Sequence, residues 1–263
     1  MAPGGLSRPV PKLWSERRGS GSPLLLFLHG LGATGEVWRG AFDLAAEWPG
    51  SRLLVDLPGH GRSGRLDAYS YGAHAEALLP LLADAGPVVV AGHSMGGVIG
   101  IVLAAERFGL DVPAVLGLGI KLRWSTEDTE GMRRRAEAPI RWFDTRDEAA
   151  ARYLRSVGLE GVADPDGPLA GSGLAEAGGR WRLAFDPAAF GVGAPEVTAA
   201  LAETRAEVTL ARGEGDQMVS AADIAAMPCE RRELPGLGHN AHVENPAAVW
   251  ALIAETASRA GVA

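Results

Sequence analysis

Four short, largely apolar runs constrain this chain most. They are Leu24–Leu28, residues 52–55, residues 87–91 and Ala114–Leu118. Each is about the length of one strand, and a continuous apolar run of that length reads as a strand buried on both faces. The first three end in glycine-containing loops followed by stretches of helical character, expected over about 35–48, 71–84 and 98–107. Strand alternating with helix implies βαβ crossovers and a parallel sheet. Further on, strands are expected at 207–211 and Glu230–Leu234, a short helix after Ser220, and a closing helix opened by Pro246 that runs to about Arg259. Residues 6–17 read as a leading hairpin or edge strands.

The rhythm stops between residues 121 and 190. No strand-like run is visible there, and charges mix with tryptophans at helical spacing. Thr145 and Glu148 have the spacing of a capping box opening a helix toward Val157. Residues 164–168 and 171–173 are rich in turn formers. The expectation is an α-helical insertion between the two parts of a core domain, residues 1–120 and 191–263. A chain of 263 residues with 47% apolar content suits one large α/β domain carrying such an insertion.

The third run leads into Gly92-His93-Ser94-Met95-Gly96. A strand, then G-x-S-x-G, then a helix is the context of a sharp turn that forces its middle residue toward positive φ. Neighbouring side chains collide with the crossing backbone in such a turn, so its flanks must be small, as Gly92, Gly96 and Gly97 are. Ser94 then stands at the carboxyl end of a strand, before a helix N-terminus. The Met95 N–H there is free to stabilise an oxyanion. A second donor is expected from the loop after the first strand, at the N–H of Leu31, with Gly32 the alternative one position on.

A serine hydroxyl is a poor nucleophile near neutrality and needs a base, itself oriented by an acid. Of six histidines, His93 adjoins the serine but is expected to point away, His29 precedes a glycine at a strand end, His60 lies in a glycine-rich loop and His74 in a helix. His239 and His242 remain, in the glycine-rich loop after the last strand. His239 is the chosen base and His242 its competitor. Asp216, in the loop after the penultimate strand, is the chosen acid, with Glu214 the local rival. The strand at Ala114–Leu118 ends without a carboxylate.

In that order, His29-Gly30-Leu31-Gly32, residues 56–63, Gly92 to Gly96, Gly213 to Asp216 and Gly236 to His239 fall where the α/β-hydrolase superfamily has its motifs. The chain resembles the lid-bearing branch of small esterases and C–C bond hydrolases, over roughly residues 20–120 and 190–260. The resemblance implies an eight-stranded, mostly parallel sheet with helices on both faces, a helical cap over the site, and Ser94, Asp216 and His239 as a catalytic triad. It implies hydrolysis of a small to medium carboxylic ester through an acyl-enzyme, with thioester, lactone or C–C bond hydrolysis, or ligand binding without catalysis, as alternatives. No cofactor or metal is called for.

Aromatic residues of the insertion, Trp124, Trp142 and Phe143 foremost, are candidates for an apolar substrate pocket, although the insertion's own core needs the same residues. Arg133-Arg134-Arg135 with Arg141 could meet a substrate carboxylate, but three adjacent charges on a helix point in different directions, and a solvated face serves equally. Residues 32–35 lack the Gly-Lys-Ser/Thr ending of a phosphate loop. A net charge of −7 and a pI near 5.4 disfavour nucleic acid and acidic membranes as partners. One cysteine, Cys229, excludes an intrachain disulfide. No apolar leader is visible, and the run at Leu24–Leu28 is far short of the roughly 20 residues of a membrane helix. A cytoplasmic protein acting on a small acyl substrate is expected.

Overall fold

The computed structural model describes residues 11–262. Its main sheet is built from β1 (Ser15–Gly19), β2 (Leu24–Leu28), β3 (Ser51–Val55), β4 (Val88–His93), β5 (Ala114–Leu118), β9 (Glu207–Gly213) and β10 (Glu230–Leu234), in the spatial order β1-β3-β2-β4-β5-β9-β10. All neighbours are parallel except β1, which runs antiparallel to β3 from Ser15 opposite Val55 to Gly19 opposite Ser51. The described residues thus place seven strands in this sheet, not the expected eight. The leading stretch supplies one edge strand, Ser-Glu-Arg-Arg-Gly, whose charged side chains suit an edge. Residues 6–10 of the expected hairpin lie outside the described residues.

Alternation along the central strands builds two cores. Leu24, Leu26 and Leu28 face one side of the sheet, with Val88 and Val90, and are covered by α2 (Tyr71–Leu82) and α3 (Met95–Leu103). Leu25 and Phe27 face the other side, covered by α1 (Arg39–Leu44) and the closing helix α10 (Pro246–Arg259) through Phe42, Val249 and Ile253. Every side chain of β2 is fully buried, each contributing about 1.5–3 kcal/mol relative to exposure. The expected helix over 35–48 forms as one α-helical turn and a half between two 3-10 turns. No described helix is long and apolar enough to cross a membrane.

Residues 121–190 are not wholly helical. They contain α4 (Thr126–Ala136), α5 (Arg146–Ser156) and α6 (Pro168–Ser172), but also β6 (Trp142–Phe143), β7 (Leu174–Ala177) and β8 (Arg180–Leu183), which pair antiparallel in the order β6-β8-β7. β7 and β8 join through Gly178-Gly179, both at positive φ, the backbone that a two-residue hairpin loop demands. The Thr145–Glu148 capping box opens α5, and a second box, Ser125 with Asp128, opens α4. The remaining helices are α7 (Val197–Ala202), α8 (Ala221–Ala225), capped by Ser220, and α9 (Ala241–Glu244).

Several bonds tie this intervening segment to the loops at the carboxyl ends of the strands. Gly61 N–H donates to Ala184 O at 2.7 Å and Asp186 N–H to Gly59 O at 2.8 Å. Tyr69 Oη donates to Asp186 Oδ2 at 2.9 Å, and Asn240 Nδ2 to Val157 O at 3.0 Å.

Candidate active site

Ser94 is the only non-glycine residue at positive φ among the described residues, with φ 49° and ψ −115°. A bend of this kind costs about 1–3 kcal/mol and persists only where the surroundings over-determine it. Here they do. A Cβ on Gly92 would stand 2.4 Å from Gly96 O, and one on Gly96 would stand 2.3 Å from Leu28 O. The strand, the helix and the neighbouring strand β2 therefore meet backbone to backbone. Ser94 N–H is spent on Leu118 O at 2.7 Å, while Gly97 and Val98 N–H take Ser94 O. Met95 N–H has no acceptor among the described residues, as expected of the first residue of a helix. The same holds for Leu31 N–H, in the loop that follows β2.

Asp216 and His239 are brought together by the close approach of two loops. A Cβ on Gly213 would lie 2.2 Å from Gly238 O, so the loops after β9 and β10 run in contact. His239 Nδ1 then lies 2.9 Å from Asp216 Oδ2. The other carboxylate oxygen accepts from Met218 N–H at 2.8 Å and Val219 N–H at 3.3 Å. Burial raises the Asp216 carboxyl, but the His239 hydrogen bond and charge and the two backbone donors outweigh it, so the group lies below its ordinary range. With Nδ1–H on the aspartate, the His239 Nε2 lone pair is the one left for a proton.

Ser94, His239, Leu31 and His93 line one cavity of about 650 Å³. Ser94 Oγ makes no hydrogen bond among the described residues. Trp124 lines this cavity, with its Nε1 donating to Lys121 O at 3.0 Å. Phe143 lines an adjoining cavity of about 800 Å³. Trp142 lines neither of these, and lies instead in a cleft beside α5 with Asp144, Glu148 and Arg152, a cleft that Phe143 also borders.

The rivals have other partners. Glu214 Oε2 accepts from Gly236 N–H at 2.8 Å. His242 is fully buried between the rings of Trp38, at 4.5 Å, and His93, at 4.3 Å. Burial pushes it down to about 3. His29 is a loop brace, its Nε2 accepting from Leu57 N–H at 2.9 Å.

Sequence reasoning passed over two residues. His93, set aside as the base, borders the site through His239: its Nε2 lies 3.0 Å from His239 O and its ring 4.7 Å from the His239 ring. Arg212 is buried under the acid's loop, donating to Val219 O at 2.8 Å and Glu214 O at 2.7 Å. A charged residue one position before a strand's terminal glycine, otherwise in an apolar run, was the available signal for it.

A mostly parallel sheet that presents a serine on a strained strand-to-helix turn defines the α/β-hydrolase class of enzyme. This chain belongs to the alpha/beta hydrolase family, whose sequence pattern matches residues 25–252. It is 34% identical over 149 residues to lipase LipV of Mycobacterium tuberculosis, a match covering 56% of this chain and about half, 54%, of that protein. It is 27% identical over 246 residues to the 2-succinyl-6-hydroxy-2,4-cyclohexadiene-1-carboxylate synthase of Enterobacter sp. (strain 638), covering 89% of this chain and 92% of the relative. The solved structure of E-2-(acetamidomethylene)succinate hydrolase superposes with a TM-score of 0.77 at 23% identity, over 94% of this chain and all of that one, 100%. A thioesterase domain from the curacin biosynthetic pathway superposes with a TM-score of 0.76 at 20% identity, over 93% and 95%. At such identities these two structures establish the fold. Family and fold together make the chain a hydrolase of the α/β-hydrolase type.

Proposed function

We propose that the chain hydrolyses a small to medium carboxylic ester, with Ser94 as nucleophile, His239 as general base and Asp216 as the acid that orients it. The observation that carries this reading is the 2.9 Å contact of Asp216 with Nδ1 of His239, a residue that lines the same cavity as the strained Ser94. The Ser94–His239 hydrogen bond forms as the substrate enters, a step common in sites whose catalytic bonds tighten on binding. His239 Nε2 takes the Ser94 proton while Oγ attacks the carbonyl carbon. The N–H groups of Met95 and Leu31 hold the oxyanion. The alkoxide leaves with the proton from His239, and water, activated by the same imidazole, releases the acid from the acyl-enzyme. Residues 121–190 act as a cap over this site and supply the substrate pocket, with Trp124 and Phe143 among its apolar walls.

A second reading keeps these residues and changes the bond. It is favoured by the relative that matches nearly the whole chain, which is named a synthase, and by the neighbour titled a thioesterase domain. A fluorophosphonate probe and a panel of activated esters, thioesters and vinylogous diketone acids separate the possibilities. Ester turnover with labelling at Ser94, abolished in Ser94→Ala, supports the first reading. Labelling with turnover only of the diketone acid moves the chain to the second. No labelling ends both.

A further inference from the structure

Six of the arginines of α4, α5 and the stretch between them differ in their partners. Arg133 and Arg134 are exposed and pair along α4, with Glu137 at 3.2 Å and Glu130 at 3.8 Å, and Arg134 also lines the cavity of Ser94. Arg135 and Arg141, also exposed, line the second cavity of about 800 Å³ with Arg152 and Arg155. That cavity shares Leu31, Arg135, Arg155, Ser156 and Phe190 with the cavity of Ser94, so the two spaces adjoin. No carboxylate lines the second cavity. Among the described residues, Arg135, Arg141 and Arg152 have no acidic partner within 4.0 Å, and Arg155 alone pairs, with Glu160 at 3.3 Å.

Two of these guanidiniums are held by aromatic faces rather than by acids. Arg135 lies 5.6 Å from the Phe190 ring centre and Arg141 4.9 Å from that of Phe143. Stacking of this kind fixes the plane of a guanidinium and leaves its N–H donors free. A chain of net charge −7 that gathers four cations around one cavity, without a carboxylate in its wall, has a site suited to an anion. Apart from Ser156, the rest of the wall carries no polar side chain, and includes Ile140, Leu183 and Phe185.

We propose that the substrate of this enzyme carries an anionic group, held by Arg135, Arg141, Arg152 and Arg155, and joined by an apolar linker to the carbonyl that Ser94 attacks. This rests on the reading of Ser94 as nucleophile. The anion is a carboxylate at the far end of the acyl chain or a phosphate on the leaving group, and both present the oxygen pair or triplet that arginine binds bidentately.

A matched pair of esters tests it. The 4-nitrophenyl hemiester of glutaric acid and 4-nitrophenyl pentanoate have acyl chains of equal length and differ at the terminal carboxylate or methyl. In each, water replaces 4-nitrophenolate and the acid is released. The hemiglutarate is expected to have the higher kcat/KM by about tenfold or more, from a lower KM, and the advantage is expected to shrink with added salt. Pentanoyl-coenzyme A is the phosphate arm, and preference for it over a neutral pentanoyl thioester places the anion on the leaving group. In R135Q/R141Q/R152Q the anionic-to-neutral ratio collapses, while Arg133→Gln, outside the cavity, keeps it. Calorimetric titration of glutarate and of coenzyme A into Ser94→Ala protein, with and without the triple substitution, reads the same site without turnover. An unchanged ratio in the triple variant, or anion binding that survives it, overturns the proposal while leaving Ser94 hydrolysis intact. Loss of all Ser94 labelling and turnover with arginine-dependent anion binding retained overturns the hydrolase reading instead.

Discussion

Ser94 sits where it does because three backbones meet with no room for a Cβ. Gly96→Ala places a carbon within 2.3 Å of Leu28 O, a clash with backbone rather than with a movable side chain. It is expected to destabilise the fold by more than about 3 kcal/mol, read as a lowered urea midpoint or loss of soluble protein. Asp216→Asn preserves the shape of the acid but no longer holds the His239 tautomer, and ester turnover is expected to fall by roughly 10³–10⁴. A folded Asn variant within a factor of a few of the parent removes Asp216 from the mechanism. His93 acts on the same imidazole through the main chain, by its bond to His239 O. His93→Leu is expected to lower kcat by about tenfold with little change in KM, and His93→Gln, whose amide nitrogen reaches a similar place, to recover part of it. A loss of stability with kcat unchanged in both variants makes His93 a packing residue only.

At the scale of elements, local signals and long-range contacts did different work. The bounds of β2, β5, β10 and α10 are legible because each is a dense apolar run, or is bracketed by Pro and Gly. The capping box of α5 is legible because its two side chains satisfy backbone donors three residues apart. Thr145→Ala removes half of that box, and a loss of about 1 kcal/mol is expected, read from urea unfolding. The β6-β8-β7 sheet escaped notice because its strands are two to four residues long and the middle one carries two arginines. Arg180-Trp181-Arg182-Leu183 does alternate, however, and Gly178-Gly179 precedes it, so the hairpin signal was present and outweighed by the helical spacing of the surrounding charges. The leading strand β1 overlaps the expected edge strands only over residues 15–17, and its bounds are set by pairing with β3.

For the molecule as a whole, the histidines stand out. His29, His60, His74, His93 and His242 are all buried. Their rings run in contact from His29 to His60 at 5.0 Å, and from His93 to His242 at 4.3 Å. Burial pushes each below its ordinary range, to about 3 for His74 and His242; at His29 the Asp56 charge opposes the shift without reversing it. The folded protein holds these rings neutral, whereas an unfolded chain protonates them below about pH 6.5. Stability is therefore full above that pH and declines as pH falls toward the folded values, by about 1.4 kcal/mol per pH unit for each histidine titrating only in the unfolded state. Urea midpoints are expected to be flat above about pH 7 and to drop steeply by about pH 5. A midpoint that holds level through that interval contradicts the buried-neutral assignment.

The residues by themselves determined the strand-loop-helix order, the glycine-framed serine and the pair of late loops carrying Asp216 and His239. Those features are local: apolar density, the small residues a tight turn requires, the turn formers at strand ends. Only the tertiary structure decided which of two histidines meets the acid, that His93 faces the His239 carbonyl, and that Arg135 and Arg141 stack on Phe190 and Phe143 beside one cavity. Each of these depends on the direction of a side chain within a packed frame, and that direction is set by contacts between segments far apart along the chain.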